Sequence, residues 1–324
     1  MSNKTVERNF YAYQVDFQEL AKVEKDKEVF RDIWDIQSFN EMLTGMMSKH
    51  INDLRVIHNG WFLMLDKFKQ EKITFKVKGK EITKKYIVGR FLYAEFGYVG
   101  GLWNVDTLSR RENTKKPREG EEKFVYFYIR EDGLLLLQGD MKVIRSKVEN
   151  YFQTLGKEYM DNRNIYGISI STLLRGDFID EVKKLDAVNK IEIELAVEKA
   201  SSYENEVLLT AKNQAQDFEA NYATLTMQSK YKKTGLSGFE GFLNKIKPKG
   251  TKAPVGGVNN IKVIGKQDGE FKRVYLSKIS EKYPVSVKVD ENNNILEEDM
   301  YNKVKEMGKR RESLWREDGD GKKD

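Results

Sequence analysis

Asp132-Gly133, set between the apolar runs Phe124 to Ile129 and Leu134 to Leu137, constrains the fold of this chain more than any other feature. Asp-Gly supplies residues that tolerate positive φ, which a tight hairpin turn requires, so the flanking runs are expected to pair as antiparallel strands. Asp268-Gly269 repeats the device between Ile261 to Ile264 and Phe271 to Leu276. Further strand-like segments run over Arg8 to Phe17, Leu54 to Ile57, Trp61 to Phe68, Ile73 to Val77, Tyr86 to Phe96, Ile165 to Leu174, Tyr222 to Met227 and Val285 to Val289. From Ile191 to Leu195 the alternation is strict, with Glu192 and Glu194 facing away from the apolar residues.

Between these segments the apolar spacing changes to three and four, the period of a helix. Asp35 is placed to cap a helix whose stripe is Ile36, Phe39, Met42, Leu43 and Met46. A second helix is expected from about Met141 to Leu155, with Ile144, Val148, Tyr151, Phe152 and Leu155 on its packed face and Gly156 at its exit. Others are expected over Asp177 to Leu185, Ser201 to Asp217 and Glu297 to Met307, and one carries Leu236, Phe239, Phe242, Leu243 and Ile246. The fold class that follows is α+β, with mixed or antiparallel sheets and flanking helices.

A chain of 324 residues is long enough for two domains at about 100–200 residues each. The expected division is an N-terminal α+β domain over 1–161, with a mobile polar loop at 106–123, and a basic α+β domain over 162–312. Residues 313–324 read as a disordered tail by composition. There is no cysteine, which excludes disulfides, thiolate metal sites and cysteine nucleophiles. No apolar run approaches the ~20 residues that cross a bilayer, and the first residues lack a signal-peptide pattern, so the expected location is cytoplasmic.

Positive charge is concentrated in one segment. Residues 230–282 hold thirteen Lys and Arg against four acids, a local excess of nine, while the whole chain carries +6 and the remainder therefore −3. A slightly acidic body with one basic region focuses attraction for a polyanion on a single surface. The candidate DNA-binding residues are Lys230, Tyr231, Lys232, Lys233, Lys245, Lys247, Lys249, Lys252, Lys262, Lys266, Lys272 and Arg273. Tyr231 sits among three lysines, and Lys272 and Arg273 lie close to Tyr275, an interleaving that lets cations meet phosphates while rings anchor or stack. No zinc finger and no long basic helix is present, so phosphate contact without base readout is expected, with DNA or RNA as the leading partner on charge and double-stranded DNA as the partner once the resemblance below is added. The basic residues of the 106–123 loop are interrupted by acids and are expected to matter less.

Catalytic signals are few. The two histidines, His50 and His58, fit no metal-ligand spacing, and His50 falls at the end of a predicted helix, where a structural role is expected. No nucleophile elbow and no phosphate-binding P-loop occurs. Gly235-Leu236-Ser237-Gly238 has the outline of a backbone clamp for single strands but carries no charge, and helix entry explains it better. Two acidic fragments have the composition of a metal-dependent nuclease: Asp177, Asp180 and Glu181 near Lys183 and Lys184, and Asp268 with Glu270 and Lys272. Neither supplies a second strand-borne acid, so no catalytic residue, metal or cofactor is expected. A nuclease using Asp268 and Glu270, and a protein-binding adaptor whose lysines are only solvated, remain as alternatives.

Four motifs in order resemble the Rex-type phage exclusion family. They are Phe10-Tyr11-Ala12-Tyr13; the hairpin Phe127-Tyr128-Ile129-Arg130-Glu131-Asp132-Gly133 leading into Leu134 to Leu137 and a helix; Leu173-Leu174-Arg175-Gly176 followed by a short helix and the strand Lys190 to Ala196; and a strand leading into Lys230-Tyr231-Lys232-Lys233. The resemblance implies a non-enzymatic, sequence-tolerant DNA-binding homodimer. It further implies the intracellular sensor of an abortive-infection system, acting with a separate membrane effector that depolarises the cell. A more distant likeness in fold is to the RdgC family of ring-shaped DNA-binding dimers. The chain departs from the pattern through its additions at 247–276 and 106–123.

Overall fold

The computed structural model describes residues 4–24, 27–77, 80–173, 177–196, 206–218, 220, 222–229, 235–238, 241, 258–276 and 282–319. Strand β1 (Thr5–Glu24) is the spine of the larger sheet. It is long enough to give each of its two hydrogen-bonding edges to two antiparallel partners. One edge takes β15 (Lys282–Lys288) and then β10 (Ile165–Thr172). The other takes β9 (Leu134–Gln138) and then β2 (Lys27–Ile33). From β9 the sheet continues through β8 (Glu122–Arg130), β5 (Lys80–Glu95), β4 (Trp61–Val77) and β3 (Arg55–His58).

Both faces of this sheet are covered. On one side lie α1 (Ile36–Met47), α2 (Arg145–Leu155) and α3 (Lys157–Asp161), with Phe39, Met42, Leu43, Tyr151 and Phe152 packed on Val15, Phe17, Phe91 and Phe127. The Asp35 carboxylate accepts the Gln37 and Ser38 N–H groups at 3.2 and 2.7 Å, the cap its position predicts. On the other side α6 (Glu297–Gly319) lays Met300, Tyr301, Val304 and Met307 over Phe10, Val88, Tyr126 and Tyr128. Burial on two faces explains why Val125 to Arg130 is buried throughout and shows no alternation.

The second sheet has the order β12 (Tyr222–Gln228), β11 (Ala187–Ala196), β13 (Val258–Gln267), β14 (Glu270–Tyr275), all antiparallel. Its inner face, Ile191, Ile193, Ile261, Val263 and Val274, packs with Phe178 and Val182 of α4 (Asp177–Lys183) and Leu208 of α5 (Glu206–Asp217). Both Asp-Gly pairs form hairpin turns: Gly133 takes φ 83°, and Asp268 and Gly269 take 54° and 83°.

Four details depart from the sequence reading. Residues 61–68 and 73–77 belong to one strand, β4, whose register against β5 shifts between Leu65 and Lys67. Ile144 precedes α2 and is half exposed rather than on its packed face, because the Asp140 carboxylate accepts the Lys142 and Val143 N–H groups and delays the helix by a turn. Within 106–123, Ser109–Arg111 is a strand, β7, paired with β6 (Leu102–Asn104), since Asn104 Oδ1 closes the turn by accepting the Asp106 and Thr107 N–H groups. Helix α6 runs on to Gly319, so 313–319 is helical; Leu314, Trp315, Arg316 and Glu317 are residues that a helix accommodates well.

The strands beyond residue 161 are shared between the two sheets. β10 and β15 hydrogen-bond to β1, because a strand of that length leaves open edges that must be paired. The helix expected at 236–246 falls largely outside the described residues.

Candidate nucleic-acid interface

The outer face of the second sheet is built by strict alternation. Ile191, Ile193, Val263 and Val274 point to the helices, so their neighbours Lys190, Glu192, Lys262, Ile264, Lys266, Phe271, Arg273 and Tyr275 occupy the opposite face. Antiparallel register sets Lys262 opposite Tyr275, Ile264 opposite Arg273 and Lys266 opposite Phe271. Lys266 Nζ lies 5.2 Å from the Phe271 ring centre, and Lys262 Nζ 5.9 Å from that of Tyr275. Phe271 is 71% exposed, which leaves one side of an aromatic ring open beside cations.

The candidate cations are not equivalent. Lys262 Nζ is 2.7 Å from Glu192 Oε2, and the same carboxylate holds Lys190 at 2.5 Å. Hydrogen bonds from Lys190 and then Lys262 keep the Glu192 carboxyl below the usual carboxylate range. Lys272 points to the helix side, where it donates to Glu181 Oε2 at 3.2 Å and Gln267 Oε1 at 2.8 Å. Hydrogen bonds from Lys184 and then Lys272 lower the Glu181 pKa. Lys266 and Arg273 are exposed, and neither has an acidic partner among the described residues. Of the twelve residues expected to bind DNA, these two present open charge on the sheet face, whereas Lys262 and Lys272 are engaged in holding the fold. Lys230, Tyr231, Lys232, Lys233, Lys245, Lys247, Lys249 and Lys252 lie outside the described residues.

Lys190 and Phe271 also belong to this face. The alternation of Lys190 and Glu192 with Ile191 carried that signal for the lysine. Phe271 read only as a strand residue, because an apolar residue beside a turn does not announce its side of the sheet.

Glu181 ties α4 to β14 through Lys272, and Asp186 Oδ2 accepts the Asp268 N–H at 2.8 Å, bracing the hairpin turn. Among the described residues no three carboxylate or imidazole side chains converge as a metal-binding group. His50 Nδ1 accepts the Asn52 N–H and so caps the following short helical turn at its start. His58 stacks on Trp61 with ring centres 4.2 Å apart.

A large open cleft of 1290 Å³ is lined by Tyr11, Tyr13, Tyr93 and Tyr126 of the first sheet and reaches Glu194 and Leu276 of the second. Its charges balance: Glu7, Glu95, Glu122, Asp140 and Glu194 stand against Arg8, Arg90, Lys123, Lys142 and Arg145. Such a lining does not favour a polyanion, which leaves the outer sheet face as the better candidate.

No family model matches the chain, and no curated protein matches it.

Proposed function

We propose that this chain binds duplex DNA through its phosphate backbone with little sequence preference, using the outer face of the second sheet together with the lysine-rich stretch 230–252. The observation that carries the proposal is two exposed cations beside Phe271, Lys266 across the strand pair and Arg273 two residues along the same strand, within a segment whose net charge exceeds that of the whole chain. Each phosphate that an open cation neutralises sheds the counterions condensed on the DNA, and their release drives binding that is independent of base sequence.

The resemblance to the Rex-type family extends the proposal. The chain would act as a homodimeric cytoplasmic sensor of phage exclusion whose output passes to a separate membrane protein. No helix among the described residues is long and apolar enough to cross a membrane, which fits a division of labour with an embedded effector. Binding without catalysis is favoured over nuclease action because Lys272, the lysine such a site would need beside Asp268 and Glu270, is taken by Glu181.

Labelled duplex DNA incubated with the pure protein, with and without magnesium, tests the reading. Retardation without cleavage is the expected result. Magnesium-dependent cleavage would replace it with the nuclease, and neither effect at low salt would leave the adaptor.

A further inference from the structure

Strands β5 and β8 are hydrogen-bonded neighbours up to the pair Ala94 and Glu122, a junction that a turn of two to five residues closes in most hairpins. Here the chain instead spends residues 96–121 on an excursion that carries the separate ribbon of β6 and β7. Excursions of this length inside a compact sheet are commonly functional. Its exposed side chains are unusual for a solvated loop: Trp103 is 66% exposed, Val105 84% and Leu108 77%, and Tyr98 is also exposed. Large apolar side chains gathered on one projection mark a contact surface. Leu108, moreover, is held at φ 50°, a region that leucine disfavours, so the tip keeps an apolar side chain outward against local preference.

Register identifies the occupant. Trp103 pairs with Arg110 and Leu102 with Arg111, so each of the two faces of the ribbon carries one large apolar residue and one arginine. Arg110 lies back over Gly101, where a side-chain Cβ would meet its Nε at 2.5 Å. A ribbon that lay on a membrane or on a protein would segregate apolar residues to one face. A ribbon standing in a groove of duplex DNA has a phosphate strand on each side and base edges beneath its tip, and needs a cation on both faces with an apolar end.

We propose that this arm enters a groove of duplex DNA, with Arg110 and Arg111 on the phosphates of the two strands and Val105 and Leu108 pressed against the bases, so that binding bends the duplex. Apolar wedges of this kind part base steps and kink DNA while the flanking cations hold its backbone. The proposal rests on the duplex-DNA reading above and adds its mode of engagement, independent of the second sheet. It also gives the arginines of this segment a larger share in binding than their interrupted sequence suggests.

The test uses the full chain on a short duplex labelled at both ends for energy transfer and carrying 2-aminopurine at its centre. Wild type should shorten the end-to-end distance and brighten 2-aminopurine. Val105→Ser with Leu108→Ser should abolish both signals yet still retard the duplex. Arg110→Ala with Arg111→Ala should reduce the slope of log affinity against log salt by about 1.8, two phosphate contacts' worth. Because all four side chains are exposed, these variants should fold normally, which circular dichroism would verify. Retardation by wild type with no bend overturns the arm proposal and leaves the DNA reading intact, whereas no retardation at all removes both. Sedimentation with phosphatidylglycerol vesicles that depends on Val105 and Leu108, or conversion of a dimer to a monomer by their replacement, would reassign the arm to a membrane or to a second copy of the chain.

Discussion

Glu192 Oε2 accepts Lys262 Nζ at 2.7 Å across the second sheet, and this contact separates lysines that organise the face from cations left open to a ligand. Lys262→Ala is therefore expected to change DNA affinity little, while Lys266→Ala with Arg273→Ala should cut the salt slope by about 1.8. Glu192→Gln should tighten binding, because it releases both Lys190 and Lys262 from their acid. Filter binding across a salt series measures all three, and a Glu192→Gln protein that binds more weakly would contradict the assignment of this face.

Replacing Lys230, Lys232 and Lys233 together by Ala should weaken duplex binding and flatten its salt dependence. Ion pairs made by lysines that serve a ligand rather than the fold contribute only about 0–1 kcal/mol each to stability, so on the DNA-binding reading the melting temperature should hardly move. A variant that melts much earlier would instead make these lysines part of the fold.

Gly133 and Gly269 both close hairpin turns with φ 83°, yet their surroundings differ. A Cβ on Gly133 would lie 2.6 Å from the Val15 carbonyl, whereas nothing stands within 4 Å of Gly269. Gly269→Ala should cost about 1 kcal/mol, the conformational term alone. Gly133→Ala adds a backbone collision and should cost about 3 kcal/mol. Urea denaturation of the two variants decides, and equal losses would mean that the β1 contact at Gly133 is not rigid.

Glu71 joins β4 to α6 and β5 by accepting Lys305 at 2.7 Å and Lys69 at 2.6 Å, together with the Tyr86 hydroxyl. Burial alone would raise its pKa, but hydrogen bonds from Lys305, Lys69 and Tyr86 prevail and hold it at about 2, below the ordinary 4.5. A carboxyl depressed on folding stabilises fully above its unfolded pKa and loses that contribution as pH falls through the folded one. Stability should therefore decline between pH 4.5 and about 2. Glu71→Gln should be less stable at neutral pH and show a shallower decline in that window. Unfolding midpoints against pH would show it, and parallel curves for the two proteins would refute it.

If two copies enclose one duplex, each first contact raises the effective concentration of the second. Light scattering of the free protein at micromolar concentration should then give a dimer. Monomer at every concentration would exclude the clamp. Full protection against phage by this gene alone would dispense with a separate effector.

Local chemistry was legible in the amino-acid sequence. The Asp35 cap, the stripe from Ile36 to Met46, both Asp-Gly turns and the alternation of Ile191 to Leu195 depend on residues within a few positions of one another, so period and turn chemistry suffice to read them. The basic excess of 230–282 was equally plain. Partners distant in sequence were not. Nothing near Ile165 or Lys282 states that both segments close the edge of β1, because edge pairing is settled by which strands the packed helices bring alongside. Tertiary structure also decided that Lys262 and Lys272 are held by Glu192 and Glu181 while Lys266 and Arg273 are open. Four cations alike in composition differ only in the acid that folding sets opposite each, and that is fixed by cross-strand register and by the packing of α4 on β14.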